Sequence, residues 1–183
     1  MRRAMVSITA LRIAGVWFAF NFIQGLMVGI IPLQIKSTIG VWAIGILGGM
    51  FYIMPMLFAY VFGKFSDLRG RRGMITLMYA LSMAGVGLMF GARTPAVLVI
   101  AILLLAFNFG ISRTITFALV GDISTEQNVE SLTALTWMMQ IIAFVCALFL
   151  SVVLVWKCLY VDSLVSIGLS YLWFWPIARV RLA

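Results

Sequence analysis

The chain contains no histidine, only five acidic residues and only two cysteines among its 183 residues. Without histidine, metal sites lose their commonest ligand and catalysis loses its commonest base near neutral pH. Cys146 and Cys158 each lie in or beside an apolar run, which offers neither a disulfide framework nor a zinc spacing. No nucleophile, base and orienting group can be assembled from the remaining residues, so no enzymatic activity, metal or cofactor is expected. Charge itself is scarce, at 10% of residues against 64% hydrophobic, and mean hydropathy is +1.17. That leaves too little polar surface to cover a soluble globule, and the sequence reads as an integral membrane protein with the lipid bilayer as its first partner. The net charge of +8 does not redirect this reading, because the basic residues are scattered between apolar runs and do not line one face. Nucleic acid is therefore not an expected partner.

The spacing of the charges predicts six transmembrane helices, at about 13–35, 40–62, 73–92, 95–120, 131–155 and 158–178. Each run approaches the ~20 residues that a helix needs to cross a ~30 Å hydrocarbon core. The expected fold is all-α, a single six-helix transmembrane bundle over residues 1–183, with connections too short for a soluble domain. Arg2, Arg3 and Arg12 precede an uncharged run too long for a signal-peptide core, so the first run is expected to stay as a span. With both termini cytoplasmic, nine basic residues fall inside and three (Lys36, Arg93 and Lys157) outside. That is the positive-inside bias, and it predicts a multi-pass protein of the cell membrane, plasma or bacterial inner.

In this frame GKFSDLRGRRG, from Gly63 to Gly73, is an inner loop between helices 2 and 3. Arg71 and Arg72 are explained by topology alone, since they can snorkel to anionic headgroups. Gly63, Asp67 and Gly70 are not. Gly70 suits a turn with positive φ, Gly63 suits close approach of another helix, and Asp67 can cap a helix or pair with an arginine. The next inner loop, GDISTEQNVE, carries Asp122, Glu126 and Glu130, which are available to face the basic one.

The Gly63, Asp67, Gly70, Arg71, Arg72 pattern resembles the signature that follows the second helix in the major facilitator superfamily. Leu68 departs from it, because the basic residue comes one position later as Arg69. The resemblance implies a six-helix bundle of two three-helix repeats, equivalent to an N-terminal half, in which Gly63, Asp67, Gly70, Arg71 and Arg72 form a gating loop. It implies a half-size secondary transporter moving a small solute by alternating access, as a homodimer or with a second six-helix half. The alternatives are a non-transporting membrane scaffold or assembly subunit of the same fold, or a fragment of a longer transporter. The family's antiporters carry a Gly and Pro repeat in helix 5 where this chain reads TWMMQIIAFVCALF.

Polar groups inside spans are costly and mark candidate solute-binding residues. Asn21 and Gln24 share a face of helix 1, Asn108 and Ser112 share one on helix 4 with Arg113 beside it, and Gln140 lies on helix 5. Hydrogen bonding between helices is the plain alternative for the neutral ones. Arg113 lies nine residues before Asp122, or ~13 Å along a helix, near the middle of the core. Its planar fork suits carboxylate or phosphate, which admits an anionic solute. Asp162 is the only carboxylate within a predicted span, and it is a candidate for proton coupling or a plain helix-end group. The spacings Gly45 with Gly49 and Gly87 with Gly91 read as helix packing.

Overall fold

A computed structural model describes residues 2–126, 128–153 and 164–172. Its long helices are α1 (Arg2–Thr38), α2 (Trp42–Arg69), α3 (Arg71–Phe90), α4 (Pro95–Ile123) and α5 (Val129–Val153). A further helical stretch, α6, covers 164–172. Five of these helices contain segments long and apolar enough to cross a membrane: Leu11–Thr38, Trp42–Leu68, Arg71–Phe90, Pro95–Ile123 and Val129–Ser151. The protein is an all-α, multi-pass membrane protein. Helices are the expected solution, because in lipid each backbone N–H and C=O must find its partner within the segment.

The helices outrun the uncharged runs. α1 begins at Arg2 and not near 13, and α2 passes Gly63 to reach Arg69. Basic side chains do not stop a helix, and nothing from Gly63 to Arg69 breaks the backbone ladder. The expected 63–73 loop is therefore a single residue, Gly70, at φ 80° and ψ 155°. Only glycine occupies that region without strain, so the expectation of positive φ holds. Elsewhere the turns follow their sequence signals. Gly40, at φ 127°, donates its N–H to the Ile35 carbonyl at 2.9 Å and closes α1. The Thr94 hydroxyl accepts from Val97 N–H at 3.5 Å, with Pro95 opening α4. Of the sixth predicted span, 158–178, residues 164–172 are helical; the remainder, with Asp162, lies outside the described residues.

α1 packs chiefly along α5, while α4 is flanked by α2 and α3. Missing Cβ atoms set the closest crossings. A Cβ on Gly25 would lie 2.7 Å from the Ala147 Cβ and 3.0 Å from the Phe144 carbonyl oxygen, so α1 and α5 meet almost backbone to backbone. On the other side, a Cβ on Gly110 would lie 3.0 Å from the Pro55 Cα, which lets α4 approach α2. Among the described residues, the glycines expected to pack do not do so. A Cβ on Gly45, Gly49 or Gly87 would meet nothing within 4 Å, and one on Gly91 would meet only carbonyls of its own helix. Spacing places glycines on one face, but which face meets a neighbour is decided by bulkier residues around them. The buried core runs through Trp17, Leu26, Met27, Ile30, Met89, Leu98, Ile102, Ile111 and Ile115. α2 and α5 instead leave long apolar flanks exposed, including Met56, Tyr60, Ile141 and Phe149.

Candidate functional site

At the end of the bundle where α2 meets α3, one guanidinium gathers three side chains. Because Gly70 reverses the chain in a single residue, Arg71 stands at the start of α3 directly beside the last turn of α2. Its Nη1 donates to the Asp67 carboxylate at 2.8 Å and to the Ser66 hydroxyl at 2.7 Å. Its Nε donates to the Asp122 carboxylate, at the end of α4, at 3.0 Å. Two carboxylates on one arginine tie α2, α3 and α4 together. Asp122 is the better sheltered partner, with its side chain 34% exposed against 68% for Asp67. Of the two roles open to Asp67, the structure shows pairing and not capping. Gly63 faces α4, where a Cβ would lie an ordinary 3.8 Å from the Thr114 methyl. Arg72 is exposed and has no acidic partner among the described residues.

Farther along the bundle the neutral candidates separate into two groups. Gln24 of α1 and Asn108 and Ser112 of α4 line one recess, walled by Phe20, Phe51 and Phe109. Its volume is about 20 Å³, close to the space that one water molecule requires. The Asn108 Oδ1 is buried and has no hydrogen-bond partner among the described residues, whereas the Ser112 hydroxyl donates to the Phe109 carbonyl at 2.9 Å. Asn21 does not join them, because its Nδ2 donates to the Trp17 carbonyl one turn back at 2.8 Å. The Gln140 Oε1, on α5, is likewise buried without a partner among the described residues. Buried amide oxygens left unpaired cost ~1–3 kcal/mol each, so each invites a donor.

Arg113 stands outside the recess. Its side chain is exposed, and its guanidinium carbon lies 5.7 Å from the centre of the Trp137 ring. It does not reach Asp122, whose carboxylate is held by Arg71. Two participants escaped the sequence reading. Ser66 is buried and completes the Arg71 cluster, and Trp137 supplies the face on which Arg113 rests. Ser66 carries only the weak signal of a hydroxyl in an apolar helix; Trp137, on a different helix from Arg113, carries none.

No protein-family model matches the chain, and no curated protein matches it. Its functional reading rests on the residues themselves.

Proposed function

We propose that this chain forms a major facilitator type six-helix bundle serving as one wall of a secondary transporter for a small solute. Both termini face the cytoplasm, the location is the cell membrane, and a second copy or another six-helix half provides the opposite wall. The observation that carries this reading is the Arg71 cluster. Asp67, Gly70 and Arg71 of the family-like pattern, together with Asp122, join three helix ends through contacts that can be made and broken as the wall moves. Buried and unpaired amide oxygens on Asn108 and Gln140 support a solute path beside α1, α4 and α5. Exposed apolar flanks on α2 and α5 support a partner bundle, although lipid can also cover them.

The test requires no knowledge of the solute. In a variant lacking Cys146 and Cys158, Asn108→Cys is treated with a membrane-impermeant maleimide from each side of a sealed vesicle. Alternating access predicts modification from both sides, with Asp122→Asn changing the ratio of the two rates. Modification from one side only, or from neither, would sink the carrier reading.

A second reading, a scaffold that keeps the fold without turnover, is favoured by the small volume of the Asn108 recess. It predicts no modification from either side, together with stoichiometric copurification of other membrane proteins.

A further inference from the structure

Arg113 is the one basic residue of α4, and it lies far from both helix ends. A charged side chain at such depth costs ~2.5–3.5 kcal/mol on the lenient insertion scale unless something compensates it. Among the described residues it has no acidic partner and donates no hydrogen bond; its recorded contact is the face of Trp137. An aromatic face attracts the charge but accepts none of the five guanidinium N–H groups in their own plane. The fork is therefore unused on its donor side.

The surroundings are apolar, with neighbouring rings set at 44° and 62° to one another. Trp137 lies 5.9 Å from Phe117 between ring centres, and Phe117 lies 6.2 Å from Trp17, so three rings run from α5 across α4 to α1. Trp17 is buried, and its indole N–H has no partner among the described residues. A single fixed positive charge with a planar pair of donors matches one carboxylate in bidentate fashion; a phosphate dianion would call for a second cation.

We infer that Arg113 is the anion-binding group of the solute path, and that the solute class is an organic monocarboxylate with an apolar body. The carboxylate sits on the guanidinium edge while the body rests against the exposed Trp137 ring. This inference rests on the carrier reading above, but binding can be measured apart from transport.

The probe is tritiated 4-phenylbutyrate, applied to the full chain in phosphatidylcholine nanodiscs. Unlabelled 4-phenylbutyrate should displace it, and the neutral isostere 4-phenylbutanamide should not. Arg113→Lys keeps the charge and loses the fork, and should weaken binding about tenfold; Arg113→Gln should abolish it. Trp137→Leu, which leaves the arginine in place, should weaken binding several-fold, and it serves if either arginine variant fails to fold. Equal competition by the amide, no binding of the probe, or unchanged affinity in Arg113→Lys and Trp137→Leu overturns the inference. Two-sided access at position 108 without probe binding removes the anion site alone; probe binding with one-sided access removes the carrier reading alone.

Discussion

Arg71 and Asp122 lie 51 positions apart and meet at 3.0 Å, so that the first turn of α3 is held to the last turn of α4. The same guanidinium holds Asp67 at 2.8 Å, four residues back across the Gly70 turn. Both pairs are partly solvated, and pairs of that kind contribute ~0.2–1 kcal/mol each, less at high salt.

A double-mutant cycle on Arg71→Gln and Asp122→Asn should therefore give a coupling of about 0.5–1 kcal/mol, read from thermal unfolding in detergent. The cycle with Asp67→Asn should give less, because that carboxylate is twice as exposed. Equal couplings would mean that exposure does not rank the two partners.

Gly70→Ala should destabilise the protein by roughly 1–3 kcal/mol, because its φ of 80° with ψ near 155° strains any side chain. Gly73→Ala is the control: it lies within α3 and its Cβ would meet nothing within 4 Å. That change should be neutral or mildly stabilising, since alanine favours helix by up to ~1 kcal/mol. Similar melting temperatures for the two variants would count against the Gly70 conformation.

Gly25→Ala should loosen the contact of α1 with α5. The new methyl would face the Phe144 carbonyl oxygen at 3.0 Å, and backbone cannot turn aside. A loss of about 1–3 kcal/mol is expected. Gly49→Ala, in open space, should cost nothing. If both variants melt alike, the α1 and α5 crossing is not as close as described.

Asn108→Leu separates structural glue from a solute contact. Because the Asn108 Oδ1 has no partner among the described residues, removing it should leave stability unchanged or slightly raised. If the recess belongs to a solute path, exchange of a transported solute in proteoliposomes should fall in the same variant. A large drop in melting temperature would instead assign Asn108 to holding the helices together.

Much of this architecture was legible because lipid imposes a simple rule: an uncharged run of sufficient length becomes a helix. Where the rule failed, it failed at ends, since Arg2 and Lys64 lie within helices that hydropathy alone would have started later or stopped earlier. The arginine cluster was half legible. Gly70 and Asp67 stood out by residue type, but the choice of Arg71, and not Arg72, depends on the direction in which α3 leaves the turn. The polar candidates were visible as anomalies in apolar spans, yet spacing along one helix does not identify the neighbouring helix. So Asn21, bonded to its own chain at Trp17, looked no different from Asn108, whose Oδ1 has no partner among the described residues.

The one-residue joint at Gly70 also sets a mechanical scale. α2 contains 28 residues, which at 1.5 Å per residue makes an arm of about 42 Å. A pivot of about 10° at that joint would sweep the far tip of such an arm by about 7 Å, more than one helical pitch. Arg71 is attached within one residue of the fulcrum, where leverage is greatest against it. In the proposed carrier, a modest ionic contact there would bias such a swing without forbidding it.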